Sequence, residues 1–517
     1  MLESLRDGGY ADKEQTVDRV VQSGDPSSRP ILAALMEDRL YTRNADQRVF
    51  IVSSADEATP ALTLIDPVTL AAAGSGPREE FSKIGTNNRL RRVLRMAIAR
   101  FDLAAPDRAI RLAAVTEVLR SMDEPAAELL RQRSAVETDP AVKKEIETGL
   151  ALAALDGTDT AARLRAIQTL SHRLGTDVRN RLAVLLEHSD QGTFVEPDET
   201  VRNAAALAVS HIDSSRWLYS AVETLFFGLS LGSVLVLVAI GLAITFGVMG
   251  VINMAHGELM MLGAYTTYVV QTAMPGHVGA SILVAIPAAF AVAGLVGIVI
   301  ERSIIRHLYG RPLETLLATF GVSLVLQQLV RSVFSALNRS VETPAWMSGT
   351  LQINEALGFT YNRLYIILFT LLVFSLLLLV LRRTRLGLDI RAVSQNRAMA
   401  RAMGVRSEWV DAMTFGLGSG IAGVAGVALS QLTNVGPNLG QAYIIDSFMV
   451  VVFGGVGNLW GALIGGMSMG IVNQLLEPFA GAVLAKIAVL VALILFIQRR
   501  PRGLFPQTGR AAESESS

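Results

Sequence analysis

Polar and apolar positions divide this chain at about residue 215. Before that point charged residues interrupt every apolar stretch; beyond Thr224 long apolar runs take over and charge retreats to short clusters. The runs fall at about 224–247, 256–273, 278–300, 313–334, 361–381, 410–431, 444–457, 461–476 and 482–498. A helix rises about 1.5 Å per residue, so about 20 apolar residues cross a bilayer core. Most of the runs are long enough, while 444–457 is short for a crossing and fits a re-entrant segment. The expected fold class is all-α: a polytopic transmembrane helical bundle over 216–505, preceded by a soluble helical domain over 1–215. Residues 506–517 read as a disordered polar tail.

Within the front half, residues 100–215 repeat one pattern: a polar turn with Asp or Pro, then an Ala/Leu-rich amphipathic helix. Asp107, Asp139, Asp159 and Asp198 stand at helix starts, where a carboxylate accepts from free backbone N–H groups and faces the positive end of the dipole. An aliphatic residue followed by Arg or Lys recurs at Ile110-Arg111, Val142-Lys143, Leu164-Arg165 and Val201-Arg202. The pattern resembles degenerate HEAT repeats, helix pairs stacked in a short solenoid. Arg48–Val52 and Ala61–Ile65 alternate differently and predict a small β-hairpin within 39–70. His172, His188 and His211 lie in separate repeats without ligand spacing and are expected on helix surfaces, with no metal site. The half reads equally as a docking surface for a partner and as a folded spacer.

The membrane half carries one conspicuous interruption. Phe246-Gly-Val-Met-Gly250 ends the first run, and Asn253, His256 and Glu258 follow at once, before the second. Gly247, Gly250 and Gly257 let the backbone break and pack closely there. Polar side chains at a broken membrane helix line a pathway or pair with one another. Asn253, His256 and Glu258 are therefore translocation-pathway candidates, although helix capping is an equal reading of Asn253 and a better one of Glu258. The motif echoes at Phe453-Gly-Gly-Val-Gly457, with Gly454 and Gly457 as a second pair of break glycines. An interrupted segment in each half is the trace expected of an internal repeat. Gly228/Gly232, Gly416/Gly420, Gly461/Gly465 and Gly466/Gly470 are spaced for close helix contact. Glu477 is expected at a helix end, and Lys486 is expected to extend toward the interface.

Composition narrows the function. Net charge is zero, which excludes a nucleic-acid partner, and there is no cysteine for a disulfide or thiolate site. No phosphate-binding GxxxxGK[ST] loop and no HExxH occur, so the chain is not itself an ATPase or zinc enzyme; no catalytic residues and no cofactor are expected. Arginines cluster at 302–311, 382–406 and 499–502, which assigns these segments to the cytoplasm. If every run spans, parity puts 1–215 outside, whereas the opening residues lack the apolar core of an export signal. Arg382–Arg406 is long for a loop, and 390–405 reads as one amphipathic helix with Ile390, Val393, Ala400 and Met403 on one face.

The 247–265 segment, the loop LGLDIRAVSQNRAMARAMGV and the run VVVFGGVGNLWGALIGGMSMG together resemble the branched-chain amino acid (LivH-type) permease family of ATP-binding-cassette (ABC) importers, over about 220–505. A soluble repeat extension in front of such a permease is similar to the urea permease subunit of that family. The resemblance implies an inner-membrane importer subunit for a small polar solute, urea first and branched-chain amino acids as the alternative. It implies two ATP-binding subunits, a second homologous permease and an external substrate-binding protein as partners, within the lipid bilayer. Asn396, Ala400 and Gly404 would couple it to the ATPases: Ala400 and Gly404 match the importer coupling loop, whose leading Glu is replaced by Ala398. A stand-alone channel or secondary transporter is the remaining reading, and it needs no coupling loop.

Overall fold

The computed structural model describes residues 2–23, 28–53, 61–119, 124–188 and 192–505; the polar tail at 506–517 lies outside them. The chain forms two compact units, Met1–Ser215 and Arg216–Ser517. Helix accounts for 72% of residues, yet the all-α expectation needs correction in both units, because each contains a β-sheet.

The first unit opens with α1 (Leu2–Asp7), α2 (Tyr10–Ser23) and α3 (Arg29–Met36), then five strands: β1 (Leu40–Arg43), β2 (Val49–Val52), β3 (Ala61–Ile65), β4 (Ala72–Pro77) and β5 (Phe81–Lys83). They make one antiparallel sheet in the order β4-β3-β2-β1-β5. The expected hairpin was the centre of this sheet. Strand β4 reads Ala-Ala-Gly-Ser-Gly-Pro, a turn composition, and β5 has three residues, so pairing rather than sequence makes them strands. Leu40, Val49 and Ile51 face α3 and α4, while Phe50, Val52 and Phe81 build a second cluster on the other side. With both faces covered, β2 is buried throughout and shows no alternation.

Next come α4 (Asn88–Leu103), α5 (Arg108–Leu119), α6 (Glu124–Val136), α7 (Pro140–Ala154), α8 (Thr160–Leu170) and α9 (Thr176–Val184). Asp139 accepts from the Ala141 and Val142 amides, and Asp159 from Ala161, so the turn acids cap as their positions imply. The recurrent arginines hold the turns. Arg111 donates to the carbonyls of Ala105 and Pro106, and Arg202 to those of Glu196 and Pro197. Arg163, rather than Arg165, serves the turn between them, donating to the Leu155 carbonyl and pairing with Glu196. His172 and His211 meet edge to face at 5.9 Å, and no cluster of metal-ligating side chains occurs among the described residues.

The second unit contains α10 (Glu199–Met249), whose first turns belong to the first unit's core, then α11 (His256–Ala273), α12 (Val278–Ser303), α13 (Pro312–Phe334), the hairpin β6 (Thr350–Asn354) and β7 (Leu357–Thr360), and α14 (Tyr361–Arg383). There follow α15 (Arg385–Gln395), α16 (Arg397–Ala402), α17 (Ser407–Ser430), α18 (Leu439–Gly454) and α19 (Leu459–Arg499). Among the described residues, six helices are long and apolar enough to cross a membrane. The last two apolar runs are one helix, α19, bent where Pro478 is followed by non-helical Gly481. Helices α10 and α17 are the bundle's interior, whereas α13, α14 and α19 expose most of their apolar side chains. Lys486 does not simply extend outward: it pairs with the buried Asp446 carboxylate of α18 at 2.9 Å.

Glu137 is the most tightly held acid of the first unit. Burial pushes its carboxyl up, but the Asp139 amide and the guanidiniums of Arg133 and Arg111 outweigh that and hold it at about 2. A carboxylate so lowered stabilises the fold above the ordinary value of 4.5 and loses that contribution as the pH falls toward 2. Glu137→Gln, which leaves two guanidiniums unpaired, is expected to cost about 3 kcal/mol at neutral pH. Hydrogen exchange of α5–α7 in the full-length protein checks this, and the gap from wild type should close below pH 4.5.

Candidate functional site

The site is built where helices stop inside the apolar bundle. At the end of α10 the Gly250 amide donates to the Phe246 carbonyl, and Gly250 adopts φ +67°, which turns the chain out of the helix without a Cβ penalty. The equivalent end of α18 lies at Gly454. These two ends meet. A Cβ on Gly247 would fall onto the Cα of Gly457, and one on Gly454 onto the Gly461 carbonyl. A Cβ on Gly257 would stand 2.5 Å from the Gly440 carbonyl oxygen, so the start of α11 touches the start of α18. All five break glycines therefore lie where backbones touch or turn, and the two Phe-Gly-x-x-Gly motifs are in contact.

The polar trio separates. Asn253 is fully buried; its Oδ1 accepts from the Ala255 amide, closing the turn before α11 rather than capping the helix. The ring of His256 points at α10, where its Nε2–H donates to the Val238 carbonyl at 3.1 Å; Gly241 leaves room for it. Glu258 points the other way. Its Oε1 accepts from the Ser323 hydroxyl at 3.1 Å and from the Gln327 amide at 2.7 Å, both on α13. Glu258 stands in the first turn of α11, and there its side chain pairs across to α13. No side-chain bond joins any two of the three among the described residues. Asn253 Nδ2, His256 Nδ1 and Glu258 Oε2 have no partner there either.

Sequence reasoning missed the other side of the site. Thr319 of α13 accepts from the Met254 amide and lies within 3.4 Å of the Ile252 carbonyl, so one hydroxyl serves the broken backbone. Thr315, Thr319, Ser323 and Gln327 are all buried. The signal was present as polar residues at every fourth position of an apolar run.

The arginine-rich loop is two helices, not one. Asn396 interrupts it with extended backbone, and its side chain caps α16 by accepting from the Met399 amide. Gly404 ends α16 at φ +90°, with the Val405 amide returning to the Ala400 carbonyl. Ala400 is buried with Ile390, Val393 and Val410, and Val248 from the last turn of α10 packs against this cluster. Met403 does not join that face and is 79% exposed, as Met399 is at 61%. Arg397 holds the loop to α17 through both oxygens of Asp411, beneath the Tyr309 ring at 4.0 Å.

Residues 224–498 match the family model for the permease component of branched-chain amino acid transport systems. The chain is 32% identical over 297 residues to the high-affinity branched-chain amino acid transport permease BraD of Pseudomonas aeruginosa, covering 96% of that protein and 56% of this one. It is 31% identical over 301 residues to the corresponding permease LivH of Escherichia coli K12, covering 97% and 56%. The ribose import permease RbsC of the same organism is 26% identical over 266 residues, covering 78% and 50%. No solved structure matches.

The contact between the two breaks leaves no room for a side chain. Gly247→Ala is expected to destabilise the protein by about 1–3 kcal/mol through overpacking against backbone. Gly321→Ala on α13, where a Cβ meets nothing within 4 Å, should be neutral or better. Thermal melting of the detergent-solubilised protein compares the two.

Proposed function

The chain belongs to the family of branched-chain amino acid transport permease components, and from that premise we propose that it is the multi-pass inner-membrane subunit of an ATP-driven importer for a branched-chain amino acid. Its relatives are permeases, so it is a transport subunit rather than an enzyme. The solute passes between the 253–258 break and its neighbours, with Asn253 and Glu258 facing the route and His256 fixing α11 to α10. Two ATP-binding subunits dock on α15 and α16, a second homologous permease completes the pathway, and an external binding protein delivers the solute. Asn396, Ala400 and Gly404 shape the docking helix, and Met399 and Met403 supply its exposed apolar surface.

One observation carries the coupling role. Val248 packs on the Ile390–Val393–Ala400–Val410 cluster, two residues before the Gly250 turn. Motion of α15 and α16 therefore reaches the first break directly, and through the Gly247–Gly457 contact it reaches the second. ATP energy acts on a transporter only by favouring one arrangement over another, and a glycine turn is an element with room to change.

The relatives' names favour a branched-chain amino acid over urea, which drew on the front extension. Urea remains a second reading for one reason. BraD and LivH are matched over nearly their whole length by 56% of this chain, so residues 1–215 have no counterpart in them. We read this unit as a HEAT-like docking surface on the periplasmic side, the side that parity gives if all nine apolar runs of the sequence cross the bilayer.

Reconstitution with the ATP-binding subunits, second permease and binding protein should give saturable, ATP-dependent leucine uptake that urea does not inhibit. ATP-dependent urea uptake without leucine uptake overturns the substrate, and uptake without ATP overturns the importer. Gly404→Arg places a side chain at φ +90°, costing about 1–2 kcal/mol at the end of α16. It should abolish ATP-dependent uptake while the protein stays in the membrane.

A further inference from the structure

Helix α13 has two unlike faces. Thr315, Thr319, Ser323, Gln327 and Arg331 recur at every fourth position and form one stripe along the helix. The first four are buried. On the opposite side Leu317, Val325 and Val333 are exposed. At about 1.5 Å per residue, Ser323 and Gln327 stand roughly 16 and 22 Å along a helix of about 34 Å, near its middle.

Polar groups buried at that depth are costly unless bonded. The stripe's own side chains are bonded, but the groups they hold are not filled. Glu258 offers Oε1 to both Ser323 and Gln327, which leaves Oε2, on a side chain 1% exposed, without a partner among the described residues. Asn253, on the backbone segment that Thr319 holds, leaves its Nδ2 unpartnered in the same way. An acceptor and a donor are thus both unfilled beside the stripe. At its far end Arg331 donates to Asn438 at the start of α18, so the polar face runs on past Gln327.

We infer that the polar face of α13 and the 253–258 break it is bonded to together form one wall of the solute pathway, and that Glu258 selects there for solutes that present a cationic N–H group. Ser323 and Gln327 are positioning residues: by taking Oε1 they fix the carboxyl so that Oε2 is the contact for the solute. The Asn253 amide supplies a donor for an acceptor on the same molecule. An amino acid meets both demands with its ammonium and carboxylate. The inference rests on the permease reading above but not on its choice of solute.

The chain has no cysteine, so single-cysteine variants of the full chain can be read directly in the assembled transporter in vesicles. Ser323→Cys and Gln327→Cys test the polar face, with Thr319→Cys as a reserve should one fail to insert. Leu317→Cys and Val325→Cys test the apolar face. The probes are cationic aminoethyl and anionic sulfonatoethyl methanethiosulfonate, with rates corrected to a free thiol, in the ATP-free and the vanadate-trapped states. In at least one state the polar-face cysteines should react on the order of tenfold faster than the apolar-face ones, and faster with the cationic reagent. That cationic preference should vanish in a Glu258→Gln background. Polar-face cysteines no more reactive than the apolar-face ones in both states would overturn the wall. A charge preference indifferent to Glu258→Gln would overturn the selectivity. Neither readout needs leucine to be the solute, so a failure of leucine uptake leaves both results standing.

Discussion

A helix that stops inside an apolar bundle leaves backbone groups with no water to bond, and this structure depends on how two such ends are supplied. At the first end, the Thr319 hydroxyl accepts from the Met254 amide. At the second, the Leu504 and Phe505 amides return to the carbonyls of Phe453 and Gly454, and Asn458 caps the helix that follows. One break is satisfied by a side chain of a neighbouring helix and the other by the chain's own returning backbone.

The same constraint brings the two segments together. Backbones serve one another only at short range, and the glycines at 247, 257, 440, 454 and 457 remove the side chains that would hold them apart. Close approach extends through the bundle: Gly241 lies against Gly418, and Gly420 receives the ring of Phe290. Packing of this kind is intolerant of bulk, so motion is expected at the turns that flank it rather than within the helices. The coupling cluster around Ala400 and the polar stripe of α13 sit on either side of the first of those turns, which gives a short mechanical link between them.

The first unit solves a different problem, that of keeping many short helices in register. Its answer is charge. Arg111 and Arg202 each tie two loop carbonyls, and Glu137 gathers two arginines and the Asp139 amide. Such buried pairs are costly to break singly because each partner is left desolvated.

The sequence by itself determined the division near residue 215, the helical runs and the two break motifs, because burial in lipid or in an Ala/Leu core writes its period directly into the side chains. It also determined the turn acids as caps, since capping is a local act between a side chain and amides two or three residues on. What it left to the tertiary structure were the pairings. Strands β4 and β5 exist only through their neighbours, Ala400 is taken into a core with Ile390, Val393 and Val410, and Glu258, in the first turn of α11, reaches Ser323 and Gln327. In each case the deciding contact lies far along the chain, or in packing a local period does not record, and only folding brought the partners within hydrogen-bond range.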